Sequence, residues 1–246
     1  RSLVGSEMCI RDSINMKRNA FTLAEVLITL GIIGVVAAIT IPGLATKIQR
    51  RQLETQVKAD FAIIQQAIRA SQADDISYDM VIQDGNDASI KEWFETYLTQ
   101  HLKVEQVCYN KPGCWHKMGE VKNLLGQPPR YENANGIGGN IVTFRIANGS
   151  MFNVDGNTAA DMESFGITTD SDGLTFYFDA NGDKKPNRMG KDIFIMVWNE
   201  EGLVPAGHNK TQAEVNTNCL RGDGYYCLQM IASNSWTIPD SLWKRK

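Results

Sequence analysis

No H-E-x-x-H pair, no G-x-S-x-G elbow and no phosphate-cradling glycine loop occurs in the 246 residues. The short signatures of zinc proteases, serine hydrolases and nucleotide-binding enzymes are therefore missing. The three histidines, His101, His116 and His208, stand apart in sequence and read as surface or satisfied core residues, not as a catalytic set. Positive charge is not in excess either. A formal net charge of -3 gives bulk electrostatics no pull toward nucleic acid. Long hydrophobic runs are equally scarce. The one that could cross a bilayer is the uncharged stretch Val26 to Thr46, whose 21 residues make roughly 31 Å of helix against a hydrocarbon core of about 30 Å. With one such run the chain is not a polytopic transporter; it has room for one membrane segment and one soluble domain.

Cysteine is sparse and unevenly placed. Cys9 precedes the apolar run, whereas Cys108, Cys114, Cys219 and Cys227 follow it as C-x5-C and C-x7-C pairs. Four cysteines allow three pairings, and the local ones would join Cys108 to Cys114 and Cys219 to Cys227. Disulfides persist in oxidising compartments, which puts the C-terminal domain outside the cytoplasm and the N-terminus inside. Zinc is the rival reading, but it favours closer C-x2-4-C spacing. Lys and Arg stand on both sides of the span (Lys17 and Arg18 against Lys47, Arg50 and Arg51) and do not set orientation.

Residues 1–15 fit neither a targeting signal nor a helix with a consistent face; they read as a non-native, adapter-like leader ahead of Met16. Lys17 and Arg18 then form a very short basic leader before the apolar segment, and Glu25 stands just inside that segment. A carboxylate there needs a partner or a shallow position. In a simple signal anchor it would snorkel to the interface. Lys-Arg-Asn-Ala followed by Phe21-Thr22-Leu23-Ala24-Glu25, with Gly34 and Pro42 in the span, resembles the cleavage and methylation motif of type IV prepilins and type II secretion pseudopilins.

That resemblance implies a leader peptide at 16–20, cut by a prepilin peptidase between Ala20 and Phe21, then methylation of the new Phe21 amine. It implies an assembly segment at 21–45 in which Thr22, Leu23, Glu25 and Pro42 act, the Glu25 carboxylate pairing with the Phe21 amine of a neighbouring subunit. Its partners would be other pilin or pseudopilin subunits, the peptidase and the inner membrane, with the subunit ending in a periplasmic or cell-surface filament. Two positions depart from the family pattern. Ala20 replaces the usual glycine, a one-methyl intrusion expected to slow cleavage at most, and Ala24 replaces a larger aliphatic residue. A mature chain of about 226 residues fits a minor pilin or pseudopilin, with no catalytic role. The alternative is a signal-anchored extracytoplasmic enzyme or binding module.

Beyond the span, Leu44, Ile48, Leu53, Val57, Phe61, Ile64 and Ile68 recur at helical intervals. They predict one helix over 21–73, roughly 80 Å long, its part at 46–73 an amphipathic continuation. Pro42 and Gly43 predict a kink or local melt within it. In the domain at 74–246, Ile90, Trp93, Phe94, Tyr97, Leu98 and Leu102 mark a core-facing helix. Residues 141–146 and 151–154 form a hairpin about Asn148-Gly149, and 174–178 and 193–198 are further strands. The fold class is α+β, a long N-terminal helix packed on a small antiparallel sheet, which is also the pilin layout. Between the last two strands, Asp179, Asn181 and Asp183 alternate like an oxygen-rich calcium loop, and Asp192 could add a fourth ligand. The spacing fails as an EF-hand, and the residues are also ordinary turn formers. A structural Ca2+ is thus weighed against a plain turn; no other cofactor is expected.

Overall fold

A computed structural model describes residues 21–74, 87–200 and 202–245. The leading helix α1 runs Leu23–Ala73, 51 residues, and the chain divides after Lys47 into two units. In the first, residues 23–47 of α1 are apolar on all sides and almost wholly exposed. A helix apolar all round belongs in lipid or among other apolar helices, and this one is long and apolar enough to cross a membrane. Its hydroxyls turn inward: Thr29 donates to the Val26 carbonyl, Thr40 to Val36 and Thr46 to Pro42, each at 2.9 Å. Pro42 lies inside α1, and the helix continues on both sides of it without the expected melt. One missing N–H is tolerated in membrane helices, where threonine hydroxyls can serve freed backbone groups.

In the second unit the apolar stripe of α1 is buried from Val57 onward, through Phe61, Ile64 and Ile68, with Leu53 partly covered. Leu44 and Ile48, expected on the same stripe, are exposed. The sheet is a meander of six antiparallel strands in sequence order. These are β1 (Val104–Tyr109), β2 (Ile141–Ile146), β3 (Met151–Asn157), β4 (Gly173–Asp179), β5 (Ile193–Asn199) and β6 (Gly202–Pro205). β2 and β3 join through Asn148-Gly149, where Gly149 takes φ +92°, a turn conformation that costs glycine nothing.

Alternation splits the strands between two cores. Phe144, Phe152, Phe176, Phe178, Phe194 and Trp198 point to the face that also holds the α1 stripe. Tyr177, Ile193, Ile195 and Val197 point to the other, over Met162, Phe165 and Ile167. A sheet covered on both faces needs no polar side, which is why β5 reads as the continuous run IFIMVWN. Across the first face the ladder register aligns Phe144 with Phe152, Phe152 with Phe178 and Phe178 with Phe194. Their ring centroids lie 5.0, 5.8 and 5.8 Å apart, within the range of favourable aromatic pairs.

Helix α2 (Asp87–Trp93) passes into a π-helical turn, Phe94–Leu98, and Trp93 lies 5.9 Å from Phe176 and 5.3 Å from Trp198. The short α3 (Ala159–Met162) lies between β3 and β4. The tail forms α4 (Gln212–Arg221), α5 (Cys227–Ser233) and α6 (Asp240–Trp243). Two disulfides close locally, Cys108 to Cys114 and Cys219 to Cys227. The tail is tied to α1: Arg50 donates to Asp240 and to the Ile238 carbonyl, and Glu54 accepts the Ile238 N–H at 2.9 Å.

Phe152 is the fully buried centre of the aromatic ladder. Phe152→Ala should destabilise the globular unit by about 3–5 kcal/mol, read as a lower urea midpoint in tryptophan fluorescence. A loss under about 1 kcal/mol would mean the ladder does not carry the core.

Candidate functional site

The start of α1 is built by two residues. The Thr22 backbone N–H and its hydroxyl each donate to Glu25 Oε2 at 2.8 Å, and the Glu25 N–H returns a bond to Thr22 Oγ1 at 3.2 Å. This is a capping box, with threonine at the N-cap and the acid three residues on, and it satisfies amide donors that have no partner inside the helix. The negative charge also lies at the positive end of the helix dipole. Phe21 precedes the cap and is 84 % exposed, and Leu23, the first helical residue, is 79 % exposed. Pro42 belongs to the same helix but lies about 26 Å further along it at 1.5 Å per residue. Ala20, Lys17 and Arg18 fall outside the described residues. The structure therefore brings Phe21, Thr22, Leu23 and Glu25 together at one helix end and leaves Pro42 apart from them. The signal for the cap is present in the sequence as Thr22-x-x-Glu25.

The acidic loop belongs to the globular unit. Asp179 ends β4, fully buried, and its Oδ2 lies 2.8 Å from His116 Nε2. The other ring nitrogen of His116 faces Asn187 Nδ2 at 3.2 Å. With that amide donating to Nδ1, the imidazole carries its proton on Nε2 and donates it to Asp179. Asp192 is also buried and accepts from the backbone of Asn187 and Arg188 and from Asn181 Nδ2. Burial pushes the Asp192 carboxyl up to about 6, helped by the nearby Asp179 charge; burial raises Asp179 too, against the opposing pull of His116. Asp183 is turned elsewhere. Its two oxygens meet Arg145 at 2.7 and 2.9 Å, and that pairing holds its carboxyl below the usual range.

Of the four proposed oxygen ligands, the structure thus gathers Asp179, Asn181 and Asp192 and assigns Asp183 to a guanidinium. Two amide oxygens, Asn181 Oδ1 and Asn187 Oδ1, are buried without a hydrogen-bond partner. No group of three or more His, Cys, Asp or Glu suited to a metal ion occurs among the described residues. Each of the three carboxylates accepts hydrogen bonds from the chain, and Arg145 places positive charge beside Asp183.

Comparison with known proteins bears on the N-terminal feature. A family model described as the prokaryotic N-terminal methylation motif matches residues 15–41. The chain carries a prepilin-type N-terminus. The match takes in the leader, the capping box and most of the apolar run, and it supports a type IV pilin- or pseudopilin-like precursor. No curated protein and no solved structure matches it.

Glu25 lies inside the matched motif, and the acidic loop lies outside it. Millimolar calcium is expected to leave the thermal unfolding midpoint of the domain unchanged. A calcium-dependent rise in Tm that disappears in Asp192→Asn would show instead that the loop binds the ion.

Proposed function

We propose that the chain is a filament subunit, a minor pilin or pseudopilin of a type IV pilus or type II secretion-like system. A prepilin peptidase cuts after Ala20, and the freed amine of Phe21 is methylated. The subunit waits in the inner membrane with its N-terminus toward the cytoplasm and its disulfide-bearing domain outside. It then leaves the bilayer as its apolar helix packs among those of other subunits. The role is assembly rather than catalysis.

The observation that carries this reading is the conjunction at the start of α1. A cleavage leader, a capped helix end and a charged Glu25 stand at the start of an apolar segment whose side chains are exposed among the described residues. In the monomer, Glu25 Oε2 serves Thr22, so Oε1 can take the neighbouring Phe21 amine without uncapping the helix. Inside a packed filament that pair lies in a low dielectric, where removal of one partner leaves an uncompensated charge. The pair thereby selects subunits in correct axial register. Local disulfides on the far side of the span support an oxidising location for the domain.

Mass spectrometry of the mature N-terminus tests the processing step: a methylated Phe21 is expected in cells that contain prepilin peptidase, and an intact leader there would instead favour a signal-anchored enzyme or binding module. Glu25→Gln should be cut normally yet enter filaments at least about tenfold less than the parent chain. Ala20→Gly should be cut at the same rate or faster.

A further inference from the structure

The globular unit carries unpaired charge of opposite sign at the two ends of its sheet. Where β4 finishes, the β4–β5 loop presents Lys184 and Lys185, both exposed, with Arg188 and Lys191 further along it. Lys122 joins them from the β1–β2 connection: its N–H donates to the Asn187 carbonyl at 3.1 Å and its carbonyl accepts the Met189 N–H at 2.8 Å, so it lies beside Arg188. Lys191 spends its ammonium on the Leu242 and Trp243 carbonyls. Lys122, Lys184, Lys185 and Arg188 form no ion pair among the described residues. The loop's own acids are occupied or covered: Asp183 is paired with Arg145, and Asp179 and Asp192 are buried.

At the opposite end β4 begins and β5 finishes. Glu200, in the β5–β6 turn, accepts from the Thr169 hydroxyl at 3.1 Å and the Ser171 hydroxyl at 2.6 Å, which draws the segment before β4 against that turn. Asp172 in the same segment accepts the Ala159 N–H at 2.9 Å and so adjoins the start of α3. Asp161, Glu163, Asp170, Asp172 and Glu200 are thereby gathered at one end, all exposed. They accept only from neutral hydroxyls and amides, and none forms an ion pair among the described residues. Lys210 passes close to Gly166, but its charge stands near Glu214.

The seven residues of β4 separate the two ends by about 20 Å, more than twice the Debye length of about 8 Å at physiological ionic strength. The ends therefore do not neutralise each other within one chain, while neighbours such as Lys184 and Lys185, or Asp170 and Asp172, are close enough to repel. A two-fold contact joining like ends would set lysines against lysines; a head-to-tail contact opposes unlike charge. We propose that the globular unit docks head to tail on a second copy of this chain, the basic end with Lys184, Lys185 and Arg188 seated on the acidic end with Asp170, Asp172 and Glu200. Such a contact does not close on itself and propagates as an open array. The inference rests on the filament reading for its setting, and adds to it a contact between domains that is separate from the pairing of Glu25.

Carbodiimide, which joins a lysine amine to a carboxylate in contact with it, tests the docking on the full chain in detergent micelles. Mass spectrometry should find Lys184 or Lys185 joined to Asp170, Asp172 or Glu200, at a yield that falls at least about threefold in high salt. With the ends about 20 Å apart, that link forms only between molecules. Asp170→Lys with Asp172→Lys should lower linkage of Lys184 and Lys185 to the unaltered Glu200 at least about tenfold. Adding Lys184→Glu and Lys185→Glu to the same chain should restore linkage, with amine and carboxylate exchanged between the ends. No link between the ends, or an undiminished one in the singly reversed chain, overturns the proposal; a basic end that retains heparin and forms no link belongs to a polyanion instead. The mature N-terminus is read separately: a cut and methylated chain without the link overturns the docking alone, and an uncut chain with the link overturns the filament setting alone.

Discussion

The constraint on which the rest of the molecule depends is that one helix serves two solvents. Residues 23–47 of α1 leave almost every side chain uncovered, whereas Val57, Phe61, Ile64 and Ile68 are part of a protein core. Each stretch solves its polar problem differently. In the first, threonine hydroxyls bond back to the helix's own carbonyls and the capping box serves the leading amides, so little is left that needs water. That is the condition for entering hydrocarbon. In the second, the polar members of the buried face reach across to other elements of the domain: Asp60 to the β2–β3 turn, Ser71 to the Tyr97 carbonyl in the π-helical turn. Sequence alone could separate the two stretches because their periodicity differs, apolar all round in one and striped in the other.

Where burial follows a period, the fold was legible. The hairpin at Asn148-Gly149, strands β4 and β5 and the aromatic helix about Trp93 all stand where alternation or helical spacing put them. The edge strands were not. β1 is half exposed and carries Glu105 and Gln106, and β6 has four residues, so neither offers a pattern long enough to see. Partnership across the sheet makes them strands. The π-helical turn at Phe94–Leu98 was hidden for a related reason: at a spacing of three to five residues an α-turn and a π-turn bury nearly the same side chains. The tail helices α4 to α6 are short, and the mostly polar α4 is announced chiefly by its Thr211-x-x-Glu214 capping box.

The acids show the limit of sequence reasoning more sharply. Asp179, Asn181 and Asp183 looked like one group because they alternate along the chain, with Asp192 as a fourth ligand, yet the strand ends at Asp179 and the turn beyond it sends these side chains in different directions. One meets an imidazole, one a guanidinium and one the backbone of its own loop. Asp60 drew no attention because a single polar residue in an apolar stripe resembles noise. Its meaning lies in the donors brought to it by residues 88 to 90 positions away in sequence, a contact that no local pattern encodes.

The disulfides complete the same logic at the margin of the domain. Each closes a loop of under ten residues, which by chain entropy is worth about 2–3 kcal/mol, small beside a sheet buried on both faces. Their value is positional. Cys108 fastens the outer end of β1, an edge strand whose exposed residues bury little, and Cys219 with Cys227 fastens two short helices that could not persist alone. Covalent closure is placed where hydrophobic closure is weakest.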